Sequence, residues 1–184
     1  MNLRKIILIV VAVSASLTLY SHAQQELHVP QSVAPQTAIP DQLRIPRLNI
    51  SAHIEGRGLS PDGSVDVPTD PAVVAWFTEN ARPGDEGSAV ITGHYGWYGN
   101  APAVFDHLNQ LRVGDTIAID TVDGTTLNFV VRDLKTYGAD DIVPKVFSSL
   151  QGVHLNLITC SGDWNKAQQQ FSQRLVVFTD LITN

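Results

Sequence analysis

Near the C-terminal end of the chain, two apolar runs read Val153-His-Leu-Asn-Leu-Ile-Thr-Cys160 and Arg174-Leu-Val-Val-Phe-Thr-Asp-Leu181. Both are rich in apolar and β-branched residues, a composition typical of β-strands. Successive side chains of a strand point to opposite faces, so Leu155 and Leu157 share one face while Cys160 lies on the other. The two runs therefore predict two strands that close the domain.

The first of these strands ends in a thiol and the second begins with a cation. The Ser161-Gly162-Asp163 run that follows the thiol predicts a turn. If the strands pair as antiparallel neighbours joined by residues 161–173, Cys160 and Arg174 stand side by side at the same end of the sheet. A cation in that position would lower the pKa of the thiol or bind an anion.

Towards the N-terminus the chain carries the signals of further short strands. Ala89-Val-Ile-Thr92 is an apolar run between two glycines, and Asp123-Gly124 is a strong hairpin signal between Thr116–Thr121 and Thr125–Leu134. Only Ala103–Leu111 has a pattern compatible with a helix, and it is short. Many short strands with little helix predict an all-β domain, either an antiparallel sandwich or a barrel. The other predicted strands are brief: Leu43–Ile45, Ala52–Ile54 and Val65–Val67.

The first residues have the pattern of a targeting segment. Arg4 and Lys5 precede an apolar run, so residues 1–23 are predicted to be a signal peptide or a membrane anchor, which length alone does not distinguish. Residues 24–41 are rich in Gln, Pro, Ala and Ser and predict a flexible tether. Residues 42–184 then form the folded domain, which we expect at the extracytoplasmic face of the cell membrane.

Composition limits the partners of this domain. The chain has 184 residues, 43 % of them hydrophobic and 16 % charged, which suits one globular core plus an appendage. Its formal net charge of −6 argues against nucleic acid, whose phosphates require clustered Lys and Arg. Asp140, Asp141 and Asp163 are too scattered for a calcium site, which needs six to eight oxygen ligands, so we expect neither metal nor cofactor.

Cys160 is the only cysteine of the chain, whereas exported domains commonly pair their cysteines in disulfides. It is an inert buried thiol, a link to another chain, or a nucleophile, and a nucleophile needs a nearby base. Of the six histidines, His94 is the best candidate because it directly follows a buried strand. The glycines and aromatic residues after it, which include Tyr95 and Trp97, suit a peptide-binding rim. His22 and His28 lie in the targeting and tether regions, and surface or packing roles are favoured for His53 and His107. His154 shares the strand face of Cys160 but lies about 20 Å away along the strand, too far to contact the thiol.

Three segments carry a resemblance to a known family. Val90-Ile-Thr-Gly-His94, Leu157-Ile-Thr-Cys160 and Arg174-Leu-Val-Val177 resemble the His, Cys and Arg segments of sortases, and are most similar to the class F-like group. The similarity runs from about Leu43 to Leu181. It continues in four further segments: Leu43-Arg-Ile-Pro46, Gly63-Ser-Val-Asp-Val-Pro68, Trp76-Phe77 and Ala101-Pro-Ala-Val-Phe105.

The resemblance implies a closed eight-stranded β-barrel with one or two short helices, and a transpeptidation. Cys160 would attack the Thr–Gly bond of a Leu-Pro-x-Thr-Gly-like sorting signal, His94 would protonate the departing amine, and Arg174 would stabilise the oxyanion. An amine from peptidoglycan or from another protein would then resolve the thioester. Thr159 would contact the substrate, and residues 137–150 would form a wall of the substrate groove.

Two alternatives remain open at the level of the sequence. L,D-transpeptidases are also exported, β-rich cysteine enzymes, although their nucleophile lies in a Ser-x-Gly-Cys pattern that differs from Leu157-Ile-Thr-Cys160. The second alternative is an exported barrel that only binds, including a degenerate sortase, in which Cys160 is inert. Alkylation separates the alternatives, because an active-site thiol reacts and a buried one does not.

Overall fold

The computed structural model describes residues 38–61, 63–98, 101–149 and 151–183. Eight strands of this part of the chain form a closed barrel in the order β1-β2-β3-β4-β7-β8-β6-β5, which confirms the predicted fold class. The strands are β1 Pro40–Ile45, β2 Ile50–Arg57, β3 Val74–Phe77, β4 Gly87–Gly93, β5 Thr116–Thr121, β6 Thr126–Gly138, β7 Val153–Asn165 and β8 Gln170–Leu181. The helices within the described ranges include the 3-10 turns Pro46–Leu48 and Leu108–Gln110 and the α-helix α1, Pro144–Phe147.

The barrel combines antiparallel pairs with two parallel ones. β2 runs parallel to β3, and β4 runs parallel to β7, so the prediction of a purely antiparallel arrangement is wrong for these pairs. The β4–β7 register extends from Gly87 opposite Val153 to Thr92 opposite Ile158. Because the two strands run in the same direction, their C-terminal ends lie at the same end of the barrel.

The predicted alternation of β7 is confirmed by burial. Leu155 and Leu157 are fully buried in the barrel interior, whereas Ile158 belongs to a smaller cluster on the outer face. In that outer cluster α1 covers β7 and β8, and its buried members are Val146, Val176 and Phe178. Members of the interior core include Leu43, Ile45, Ile91, Phe105, Leu108, Ile117, Phe129, Val131, Leu155, Leu157 and Val177.

Three element boundaries differ from the sequence-based expectations. β7 does not end at Cys160 but continues to Asn165, and one extra residue between Ser161 and Trp164 forms a bulge against β8. Gly162 lies in that bulge with a φ of 77°, which explains why a turn-like composition occurs inside a strand. The predicted helix over 103–111 is a series of turns with a single 3-10 turn. Val65–Val67 contributes an isolated bridge to Leu59 in place of a strand.

The N-terminal predictions fall largely outside the described residues. β1 begins at Pro40, so the last two residues of the predicted tether belong to a strand. The proposed signal or anchor at residues 1–23 is not among the described residues. Within the described ranges, no helix has the length and apolar character that a membrane crossing requires.

Candidate active site

Cys160 and Arg174 are direct neighbours on β7 and β8. Their Cα atoms are paired in the antiparallel register, as the sequence predicts, and Tyr137 of β6 is paired with Arg174 on the other side. The guanidinium donates from Nη1 to the carbonyl oxygens of Phe171 and Gln173, both at 2.9 Å. Its Nη2 donates to Oε1 of Gln170 at 3.2 Å. These three bonds orient the guanidinium beside the thiol.

Two opposing effects act on the Cys160 thiol, which is free and partly buried. Burial raises its pKa because a thiolate is poorly solvated there, and the positive charge of Arg174 lowers it by a smaller amount. The net direction is upward. The thiol is therefore mostly protonated at neutral pH, and its nucleophilic attack depends on a base or on a charge that develops with substrate bound.

His94 lies at the exit of β4, level with Cys160 on the parallel strand. Thr92 is opposite Ile158, and two residues further along each strand are His94 and Cys160. Thr159 Oγ1 donates to the carbonyl oxygen of Gly93 at 2.8 Å, which joins the two strand ends.

The imidazole of His94 is held from two sides. Its Nε2 lies 2.6 Å from the carbonyl oxygen of Pro68, and its ring packs edge-on against Trp97 with centroids 4.6 Å apart. A neutral His94 that donates its Nε2 proton to this carbonyl carries its basic lone pair on Nδ1. The main chain is fixed as well, since the amide of Phe105 donates to the carbonyl oxygen of His94 at 3.0 Å.

Because Gly93 has no side chain, Phe105 and Val104 can pack closely against the end of β4, directly before His94. A Cβ atom at this position would lie 2.6 and 2.7 Å from ring carbons of Phe105 and 2.8 Å from Val104, closer than van der Waals contact permits. We expect Gly93→Ala to lower the free energy of unfolding by about 1–3 kcal/mol, measured by urea denaturation, because the added methyl group forces the fully buried ring of Phe105 to shift within the core.

Gly58→Ala is the matched control for this prediction. A Cβ atom there would have its nearest neighbour at 3.7 Å, and Gly58 has no positive φ. Equal unfolding free energies for the two variants would show that the close packing around Gly93 does not require a glycine at the end of β4.

A groove of about 530 Å³ runs over the outer face of the barrel next to this pair of strands. One wall is α1 with the segment before it, and another is the loop around residues 60–67. The floor is formed by the ends of four strands. The lining residues are Ser60, Ser64, Val65, Val67, Thr92, Gly93, Tyr137, Gly138, Ala139, Asp141, Val143, Val146, Phe147, Ile158, Thr159, Cys160, Gln170, Arg174 and Val176. A thiol and a guanidinium thus face a mostly apolar groove of the size that an extended peptide segment requires.

Residues 43–182 match the family model described as Sortase domain. The chain belongs to the sortase family. Sortases are cysteine transpeptidases that act on sorting signals and amine nucleophiles, so this class of activity follows from the match. A search of curated proteins finds no match.

Solved structures of sortases share the barrel. Sortase C-1 from Actinomyces oris has 24% sequence identity and a TM-score of 0.63, and the match covers 79% of this chain and 76% of that one. Sortase C1 from Streptococcus agalactiae has 24% identity and a TM-score of 0.62, with 78% and 67% covered. Sortase A from Corynebacterium diphtheriae has 25% identity and a TM-score of 0.61, with 83% and 64% covered.

The residues predicted to bind substrate in this sortase occupy two different environments. Thr159 lines the groove, but it is only 3% exposed and its hydroxyl is bonded to Gly93. Tyr95 packs edge-on against Phe171 with ring centroids 5.2 Å apart, and Trp97 lies between His94 and Tyr98. Among the described residues, the groove lining includes Thr159 but neither Tyr95 nor Trp97. Those two rings belong to an aromatic rim beside His94.

Several residues of the site carry no signal in the sequence. Gln170, which orients Arg174, lies in a polar stretch that resembles an ordinary loop. Pro68 contributes only its main-chain carbonyl oxygen to the site, so its residue type gives no sign of this contact with His94. Of the wall expected over residues 137–150, the part between Tyr137 and Phe147 lines the groove, and α1 is its helical part. In the described ranges no three His, Cys, Asp or Glu side chains are grouped to hold a metal ion.

Proposed function

We propose that this sortase is a class F-like enzyme that cleaves a Leu-Pro-x-Thr-Gly-like sorting signal between Thr and Gly and transfers the protein to an amine. The observation that carries the proposal is the placement of Cys160 and Arg174 in direct register along the groove. His94 at the end of the adjacent parallel strand supplies the third group.

The reaction divides into two displacements at one carbonyl carbon. The Cys160 thiol gives its proton to His94, and the sulfur bonds to the Thr carbonyl carbon. The Thr–Gly bond then breaks, and the Gly nitrogen receives that proton from His94. An incoming amine then attacks the thioester, loses a proton to the base, and displaces the thiol. Arg174 stabilises the negative oxygen in both steps, where a fixed positive charge lowers the barrier most.

The groove suits the acyl side of the signal. Ile158, Val143 and Val176 provide apolar surface for the Leu and Pro side chains. Thr159 lies where the Thr of the signal approaches Cys160. The aromatic rim, with Tyr95 and Trp97, lies beside His94, where we place the departing Gly and the accepting amine of peptidoglycan or of another protein.

The class F-like assignment rests on segments that hold His94 in place. The segment Gly63–Pro68 supplies the carbonyl that binds its imidazole, and Ala101–Phe105 supplies the amide that binds its carbonyl oxygen. We further propose that residues 1–23 export the domain and, where they are retained, anchor it at the extracytoplasmic face of the cell membrane.

The direct test is an assay with a quenched fluorescent Leu-Pro-x-Thr-Gly peptide and residues 38–184 of the protein. We expect the peptide to be cleaved only when Cys160 is present. When an amine is added, we expect the acyl part of the peptide to appear as a product ligated to that amine. Cleavage without ligation would contradict the transpeptidase proposal. Absence of both cleavage and thioester, checked by mass spectrometry of Cys160 with a reactive peptide analogue, would favour the barrel that only binds.

A further inference from the structure

Two asparagine side chains hold the carboxyl end of α1. Asn156 of β7 is fully buried and donates from Nδ2 to the carbonyl oxygen of Val146 at 2.7 Å. Asn80, on the loop after β3, donates from Nδ2 to the carbonyl oxygen of Phe147 at 2.5 Å and to that of Ser88 at 3.2 Å. The last carbonyls of a helix have no partner within the helix, so these amides provide the bonds that α1 cannot make for itself.

α1 depends on such bonds because it consists of one turn. A helix of this length has no intrinsic stability and takes its position from the surface on which it packs. Val146 points into the outer cluster with Val176 and Phe178, and both Val146 and Phe147 line the groove. The position of α1 therefore sets the width of the groove opposite Cys160.

The environment of Asn156 indicates a role other than stability. Its Oδ1 and the hydroxyl of the nearby Ser88 are buried without a hydrogen-bond partner. Each buried polar atom without a partner lowers the stability of the folded state, and an apolar residue of similar shape would avoid that cost. A leucine at this position would pack against the outer cluster, but it would leave α1 without its bond.

We propose that Asn156, together with Asn80, is a positioning residue that holds α1 at the distance from Cys160 that the acyl-donor peptide requires. The inference rests on the proposed function, since it assigns the groove to that peptide. Neither asparagine touches the thiol or the scissile bond. Their contribution is to peptide binding, which depends on α1, while the chemistry at Cys160 depends on the β7–β8 register.

The test compares Asn156→Leu with the unmodified protein in peptide cleavage and in hydrogen exchange. We expect KM for the peptide to rise about tenfold with kcat changed less than about twofold, because the bond lost is worth on the order of 1.4 kcal/mol. The alkylation rate of Cys160 should stay the same. Amide exchange over residues 143–149 should become faster, since the amides of Val146 and Ser148 donate to the carbonyl oxygens of Val143 and Pro144 at the start of α1, and these bonds are lost when α1 opens.

Asn80→Ala serves as a second variant that carries little risk of unfolding, because Asn80 lies on a loop and is partly exposed. It should change KM and exchange in the same direction as Asn156→Leu. Thr179→Val is the matched control, because it also removes a fully buried hydrogen bond, from Oγ1 to the carbonyl oxygen of Leu155 at 2.7 Å. Thr179 shares the interior face of β8 with Val177, whereas α1 packs on the outer face with Val176 and Phe178. Thr179→Val should lower stability and leave KM unchanged.

The outcomes separate this inference from the proposed function. Unchanged exchange over residues 143–149 in both asparagine variants would overturn the inference even if the peptide is cleaved. A decrease in kcat at constant KM would overturn it as well. If the unmodified protein does not cleave the peptide, the proposed function fails, and faster exchange confined to these residues would still support the role of the two amides in holding α1.

Discussion

Replacing Cys160 with alanine is expected to lower kcat/KM for the sorting-signal peptide by about 10⁴-fold or more, to the background rate. The sulfur forms the bond that defines the proposed reaction, and it is the only thiol of the chain. The loss should be accompanied by disappearance of the acyl-enzyme in mass spectra. Peptide affinity, measured by fluorescence anisotropy, should remain because the groove is intact.

Folding is not expected to explain this loss. Cys160 is partly exposed on the outer face of β7, so removal of one sulfur atom should change the unfolding temperature little. Ser161→Ala is a suitable control, since it removes a hydroxyl from the next residue, whose side chain points to the other face. Retained cleavage in Cys160→Ala would end the enzyme hypothesis, whereas a wild-type thiol that resists alkylation would indicate a binding module.

Local patterns in the sequence predict the part of the site that lies on β7 and β8. The alternation of β7 predicts that Cys160 meets Arg174 if the two strands pair as antiparallel neighbours joined by residues 161–173, and the observed register has that pairing. The interior position of Leu155 and Leu157 follows from the same alternation.

The other side of the site depends on contacts between distant parts of the chain. β4 and β7 are about 60 residues apart, and nothing in either strand specifies that they pair in parallel. The sequence therefore points to His94 through its position after a strand and through the family resemblance, not through a predicted neighbour. Its partner, the carbonyl of Pro68, is a main-chain group that any residue could provide.

The groove wall could not be predicted in detail for a related reason. α1 is one turn long, so it has no apolar periodicity that a sequence could display. Its anchors, Asn80 and Asn156, are single polar residues in a loop and in a strand, where they resemble ordinary surface residues until burial is known. The residues of the bulge after Cys160 likewise predict a turn, since a glycine with positive φ occurs in both turns and bulges.

Arg174→Ala is expected to lower kcat by about 10²–10³-fold, the usual loss when one oxyanion-stabilising group is removed. A second effect concerns the thiol itself. Arg174 lowers the pKa of Cys160 against the larger effect of burial, so its removal should raise that pKa further. The thiolate forms as the pH rises through the pKa, and the alkylation profile of Cys160 should therefore shift to higher pH.

Two further variants distinguish local charge from geometry. Arg174→Lys keeps the positive charge but loses the planar fork that bonds to Phe171 and Gln170, so it should preserve the alkylation profile while kcat stays low. Arg44→Ala removes one positive charge from β1, where Arg44 pairs with Asp120 at 2.6 Å, and should leave both quantities unchanged. An alkylation profile that shifts equally in Arg44→Ala and Arg174→Ala would mean that net charge acts on the thiol. A shift confined to Arg174→Ala would assign the effect to the neighbour in register, and the proposed mechanism requires that result.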